Sequence, residues 1–238
     1  MAQSNTVERI LDAAEFLFAE KGFAETSMRS ITSRADVNLA AVNYHFGSKK
    51  VLIQAVFTRF LDPLVQGLTV TLDTLEASGK RLDLKALIML LFHQTFKREA
   101  QGRGDPGTFM RLLAMAYAQS QGHLRRHLQT VYGGLFRRYL RLLIDATPGL
   151  PLYELYWRVN FMMGAVIFTL AEFDTLNAIG AAEHSLTATM EETINRLVPF
   201  LVSGLETPLS ENAPLENALL GNALLGNASL GNASLGKK

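Results

Sequence analysis

The chain contains no cysteine, few prolines, and no apolar run long enough to span a bilayer. Zero cysteines exclude disulfides and thiolate metal sites and fit a reducing compartment. Seven prolines in 238 residues leave long stretches free to be helical. The most apolar stretch, residues 161–171, falls well short of the ~20 residues a membrane helix needs and is closed by Glu172 and Asp174. It reads as a buried helix. The opening residues are polar and lack the apolar segment of a signal peptide, so the expectation is a cytoplasmic protein with no membrane partner. No charge of either sign is in excess: 23 Lys and Arg face 22 Asp and Glu, for a net +1. Any electrostatic argument must therefore rest on placement. Nucleophile elbow, Walker loop and dinucleotide-binding glycine patterns are all missing, which speaks against an enzyme. His123 and His127 have the spacing of a zinc pair on one helix face, but Arg125 and Arg126 lie between them and no third ligand accompanies them. No metal and no cofactor is expected.

What is present is helical periodicity, with no credible strand alternation. A first helix covers about residues 5–21, with Val7, Ile10, Leu11, Ala14, Leu17 and Phe18 on one face, and Gly22 stops it. Thr26 or Ser27 then caps a helix running to about Ala35, with Met28 and Ile31 facing inward. Asp36 and Val37 turn the chain, and Asn38 caps a helix of barely two turns. Val37, Val42 and Phe46 anchor that helix, while Leu39, Ala40, Ala41, Asn43, Tyr44 and His45 occupy the rest of it. Two turns do not hold themselves together in water; a helix-turn-helix whose second member enters the major groove gives such an element its purpose.

Ser48 caps the next helix, yet Lys49 and Lys50 follow, where the helix dipole favours acids. A DNA phosphate opposite them would reverse that penalty of a few tenths of a kcal/mol, because phosphate neutralisation releases counterions. Over residues 1–50 acids and bases balance, but every acid except Asp36 precedes Thr26, whereas Arg29, Arg34, Lys49 and Lys50 fall on the presumed DNA side.

On these residues the segment from about Thr6 to Phe60 resembles the DNA-binding domain of the TetR/AcrR family of bacterial regulators. The resemblance rests on Ile10 to Ala14 with Phe16 to Phe18 and Gly22-Phe23, on Thr26 to Ile31, and on Asn43-Tyr44-His45-Phe46-Gly47-Ser48-Lys49 leading to Leu52. It implies an all-α fold. An N-terminal three-helix helix-turn-helix DNA-binding domain (residues 1–48) is joined by a long fourth helix to a larger helical effector-binding and dimerisation domain (residues 49–206). The implied DNA contacts are Thr26, Ser27, Arg29, Asn38, Leu39, Ala40, Ala41, Asn43, Tyr44, His45, Lys49 and Lys50. Two positions depart from the family. Asn43 replaces a common aromatic and can pair with an adenine edge instead of gripping phosphate, and Lys50 stands where an acid is usual.

Farther along, residues 109–113, 120–126 and 198–201 are similar to a PsrA-like subgroup that governs fatty-acid degradation. This likeness implies a hydrophobic small-molecule effector of long-chain acyl type, with Phe109, Met110, Arg111, Leu113, Tyr117, Phe136, Tyr139, Leu140, Trp157, Phe161, Met162 and Phe168 around it. Arg111, flanked by Met110 and Leu112, is the expected carboxylate anchor. A regulator of efflux or stress genes with another hydrophobic ligand, and an all-helical lipid-binding protein, remain open alternatives, as does activation in place of repression.

Further helices are expected at about residues 49–77 with a break or kink at Pro63, then at 84–99, 111–120, 123–146, 152–178 and 186–203, with a loop over 102–107. Large apolar residues on nearly every side of 152–173, and a stripe of Leu186, Met190, Ile194, Leu197 and Leu201, suggest that the last two helices build a homodimer's intermolecular bundle. A two-fold dimer matches a palindromic double-stranded operator. Residues 207–238 carry four five-residue units starting at Asn217, Asn222, Asn227 and Asn232. A glycine in each disfavours helix, so a disordered repeat tail is expected.

Overall fold

A computed structural model describes residues 2–99, 105–119 and 121–209. The repeat tail beyond residue 209, residues 100–104 (which include 102–104 of the expected loop) and Ser120 lie outside the described residues; Pro106 and Gly107 of that loop instead open a helix. Within them the chain is all helical, in ten helices: α1 (Ala2–Glu25), α2 (Met28–Ala35), α3 (Leu39–Phe46), α4 (Lys49–Ser78), α5 (Leu84–Glu99), α6 (Pro106–Ala118), α7 (Gly122–Ala146), α8 (Leu152–Ala171), α9 (Phe173–His184) and α10 (Met190–Glu206).

The helix boundaries follow from their caps. Ser27 and Ser30 form a reciprocal capping box at α2, Asn38 caps α3 through Ala41 N–H at 2.7 Å, and Ser48 caps α4. Each side-chain oxygen satisfies one of the amides that a helix start leaves unpaired. Asp105 does the same for α6 with Pro106 at the first position, and Thr189 with Glu192 for α10. α1 breaks at Gly22, whose φ of 79° and ψ of 169° lie in a region only glycine occupies readily. A Cβ there would also stand 2.9 Å from Gln119 Nε2 at the end of α6.

One apolar core runs from the three-helix head into the body. Ile10, Ala14 and Phe18 of α1, Ile31 of α2 and Val42 of α3 are fully buried, and Leu52, Val56 and Phe57 of α4 continue the core. Aromatic rings carry it across: Phe18 meets Phe23 at 5.3 Å between centroids, Phe23 meets Phe57, and Phe57 meets Phe109 of α6, which stacks on Phe60 at 4.9 Å. Such pairs add about 0.5–1.5 kcal/mol beyond the area they bury. Phe109 is thus a keystone of the head–body junction and not a ligand-facing side chain.

α4 is long and apolar enough to meet a length-and-hydropathy test for crossing a membrane. Its buried residues are accounted for by packing against α1, α5 and α7. Pro63 does not end it. Side chains before and after the proline tie α4 to neighbouring helices: Arg59 pairs with Glu8, Asp12 and Glu15 of α1, Asp62 accepts a 2.6 Å hydrogen bond from Tyr132 of α7, and beyond Pro63 Asp73 and Glu76 hold Arg138 of α7.

The expected single helix over 152–178 is two helices bent by 69° at Glu172. No glycine or proline marks the break, so periodicity alone ran through it. The expected α10 stripe also divides differently. Ile194, Leu197 and Leu201 are buried within the subunit, where α10 packs on α5 and α8, and Leu186 precedes the helix altogether.

Gly22→Ala should lower unfolding free energy by about 1–3 kcal/mol, because alanine must hold a glycine-only conformation. Equilibrium denaturation in urea measures it; a loss under about 0.5 kcal/mol would refute the assigned strain.

Candidate nucleic-acid interface

The helix-turn-helix is held from behind. Arg9 of α1 donates to Asp36 twice, at 2.6 Å to its carbonyl and 3.0 Å to its carboxylate, while Asp36 itself adopts a left-handed φ of 50°. Arg34 lays its guanidinium 3.4 Å from the centre of the Phe16 ring. It therefore clamps α2 to α1 as a cation over an aromatic face and is not on the presumed DNA side. Val42 and Phe46 bury the back of α3.

What remains outward on α3 is a compact mixed surface. Tyr44 is 78 % exposed with its ring edge-on to His45, and Leu39, Ala40 and Asn43 are exposed beside it. Ala41 and His45 are half-buried at its margin. Ser27 and Arg29 are exposed at the start of α2. Two other sequence-selected residues have intramolecular work. Asn38 spends its side-chain oxygen on the α3 cap, and Lys49 donates from Nζ to the Ala24 carbonyl at 3.1 Å.

Thr26 is a correction. It is 1 % exposed, and its hydroxyl donates to the carbonyls of Leu17 and Gly22 at 3.0 and 2.8 Å. A buried hydroxyl with both bonds internal cannot touch DNA; it fixes the entry to α2 by satisfying carbonyls freed at the break in α1.

A polar seam joins α4 to α7. Gln54 donates to the His123 carbonyl at 3.3 Å, Thr58 and His127 Nε2 lie 3.1 Å apart, Tyr132 donates to Asp62, and Arg138 donates to Asp73 and Glu76 at 2.6 and 3.1 Å. The partners ascend together in both helices, so α4 and α7 run parallel. Burial raises the Tyr132 phenol, with its bond to Asp62 adding to the effect, to about 12. The two histidines thus serve the seam, and among the described residues no group of three metal-binding side chains forms.

The effector residues predicted from sequence do not converge. Phe109, Met110 and Tyr139 are buried, with Tyr139 donating to the Leu87 carbonyl at 2.8 Å. Leu113, Leu140 and Met162 are half-buried. Tyr117, Phe136, Trp157, Phe161 and Phe168 turn outward, Phe161 and Phe168 being 67 % and 60 % exposed. Composition supplied enough aromatics for a tunnel, but their helical phase sends these five to the surface. On α8, Trp157, Phe161, Gly164 and Phe168 recur at helical spacing as one exposed row. Arg111 stands 3.7 Å from Asp105, and its Nε is buried without a hydrogen-bond partner.

Comparison with known proteins agrees with this architecture. Residues 10–56 match the family described as bacterial regulatory proteins, tetR family, and residues 90–204 match the tetracyclin repressor-like C-terminal domain. The chain belongs to the TetR family of bacterial regulatory proteins. It is 37 % identical over 70 residues to the probable HTH-type transcriptional regulator YttP of Bacillus subtilis, covering 29 % of this chain and 32 % of YttP. To the HTH-type transcriptional regulator UidR of Escherichia coli it is 28 % identical over 165 residues, 60 % of this chain and 79 % of UidR. The match therefore spans about a third of YttP's length. A TetR-like transcriptional regulator from Rhodococcus shares the fold, with a TM-score of 0.52 at 18 % identity over 84 % of this chain and 93 % of that one.

Burial, followed by the nearby charges of Lys50, Arg126 and His127, lowers the His123 pKa below 6.5. Gln54 of α4 and Gln121 face the same ring. Because the folded state disfavours the charged imidazole, its contribution to stability is full above about pH 6.5 and is lost as pH falls through that value. The drop in thermal midpoint between pH 7.5 and 5.5 should be smaller in His123→Gln than in the parent; equal drops would contradict the assignment.

Proposed function

We propose that this chain is a ligand-responsive, DNA-binding transcriptional regulator that acts as a homodimer on a palindromic operator. The observation that carries the reading is the exposed face of α3, where Leu39, Ala40, Asn43 and Tyr44 stand outward on a helix fully buried at Val42 behind them. A helix too short to persist alone, fixed by Arg9, Arg34 and three caps so that its polar edge faces solvent, is arranged for insertion into a major groove. Asn43 offers a donor and an acceptor to an adenine edge. Lys50 and Arg29 add phosphate contacts.

Two copies supply enough contacts for selectivity. The α8 row of Trp157, Phe161 and Phe168, with Phe200 of α10 at 67 % exposure, leaves large apolar surface in water. Burying such a row against a second subunit recovers about 25 cal/mol per Å². Gly164 in the middle of the row has open space beside it, which permits close helix approach.

The effector is a long-chain acyl compound whose carboxylate or thioester headgroup Arg111 holds; the support is the buried, unpartnered Nε of that side chain, a donor awaiting an acceptor. Repression is relieved when the effector binds the form unable to reach the operator. A hundredfold preference for that form is about 2.7 kcal/mol of coupling.

Selection from a random duplex pool should return an inverted repeat. Asn43→Ala should lose about 1–3 kcal/mol of discrimination at one base pair per half-site and leave the others intact. A pool that yields no inverted repeat overturns the reading. Phe161→Glu should convert the dimer to monomer by sedimentation and weaken operator binding by at least tenfold; an unchanged dimer would move the interface elsewhere.

A further inference from the structure

We propose that the body of the protein, and not only its head, contacts operator backbone phosphates, through Arg125 and Arg126 at the start of α7 acting beside Lys50 of α4. This rests on the DNA-binding reading above and adds to it a second contact surface.

Lys50, Gln54, Thr58 and Asp62 succeed one another at four-residue intervals, so Lys50 is the next rung of the α4–α7 seam on the side of the helix-turn-helix. Because the two helices run parallel, the start of α7 points the same way as the start of α4. Side chains on a helix lean toward its N-terminus. Arg126 does so: its Nη1 comes within 3.8 Å of where a Cβ on Gly122 would stand. The positive charges of Lys50 and Arg126 both act on the His123 ring.

This gathering of like charge is not compensated within the subunit. Lys50, Arg125 and Arg126 are exposed, and among the described residues none of them has an ion pair. Of the acids on α1 and at the end of α2, Glu8, Asp12 and Glu15 pair with Arg59, and Asp36 pairs with Arg9. Two cations, Lys50 and Arg126, brought together at the head-facing end of the body, with Arg125 exposed next to Arg126 at the start of α7, repel one another until a polyanion lies along them. The one polyanion that the position favours is the duplex already seated on α3, whose start is separated from Lys50 by a single two-turn helix and its cap. Flanking phosphates just outside each half-site fit the chemistry, and they carry no sequence information.

The test uses the full chain and the operator duplex selected from the random pool, with fluorescence anisotropy between 50 and 200 mM salt. Each phosphate contact contributes about 0.9 to the log–log salt slope. Arg125→Gln/Arg126→Gln, with two copies of each change per dimer, should flatten the slope by about 2 to 4 while the base preference stays the same. Trimming the duplex to the inverted repeat alone should flatten the parent's slope to that of the variant and leave the variant's slope unchanged. An unchanged slope in the variant overturns the proposal, as does weaker binding at an unchanged slope, which marks a folding or positioning role. Stabilisation of the parent by inorganic phosphate, absent in the variant and without any slope difference on DNA, assigns the patch to a small anion and equally overturns it. If the parent itself selects no inverted repeat, the DNA-binding reading fails instead.

Discussion

The structure depends on α4 being shared. Its first half completes the core of the three-helix head through Leu52, Val56 and Phe57, and its whole length rides on α7 through a polar seam. Without that helix the head would lack a floor, since α1, α2 and α3 bury too little among themselves for so short a chain. Polar pairs suit the seam better than more leucine would. An apolar contact tolerates sliding, whereas Gln54, Thr58 and Asp62 meet particular polar partners on α7, and a shift by a single turn would leave several partly buried polar groups unsatisfied. Arg59 extends the same logic to the other side, where three acids of α1 hold it. Exposed pairs of this kind contribute little singly, but together they fix the rotation of α4 about its axis.

The aromatic chain from Phe18 to Phe109 makes the head and body one mechanical object at their junction. A division of the chain at Ser48 is sensible along the sequence, where a cap marks it, yet it cuts through continuous core in space. Gly22 shows the same coupling from the backbone side, lying against Gln119 of α6. A displacement of α6 thus meets the base of the head directly, as well as through α4.

The head was legible in the sequence because its signals are local. Caps, the left-handed turn residue and the buried positions of α3 are all read within four residues, and Ser27, Asn38 and Ser48 do what their identity suggests. Ambiguity there was confined to neighbours: Thr26 and Ser27 are equally good caps on paper, and only burial assigns Thr26 to the interior. Body assignments failed where the deciding information was distant. Residues 152–173 are apolar on nearly every side, so periodicity could not say which row faces inward, nor that Glu172 is a corner. Arg34 falls on the presumed DNA side in the sequence because Phe16, eighteen positions earlier, is invisible to a local reading. Pro63 likewise has the usual cost of a helix proline, offset here by tertiary ties at Arg59 and Asp62 before it and at Asp73 and Glu76 after it.

These constraints bear on how an effector in the body can reach DNA. At 1.5 Å per residue, α4 is about 45 Å long, and Arg59 lies about 15 Å from its start. If the cluster at Arg59 is the pivot, a tilt of about 5° moves the head end of α4 by about 1.3 Å and the far end by about twice that. A shift of that size is comparable to the roughly 1 Å misplacement that defeats well-aligned polar contacts, and a symmetric pair of heads doubles it. The pivot also decides where sensitivity lies. Arg138 with Asp73 and Glu76 sits toward the long arm, where small forces have leverage, while Gln54 with His123 sits on the short arm, where they set the angle. An effector that loosens the far end need only release one ion-pair cluster on the surface, of modest cost, for the near end to rotate. The seam is consequently what sets the angle of α4, and with it the head, against the body.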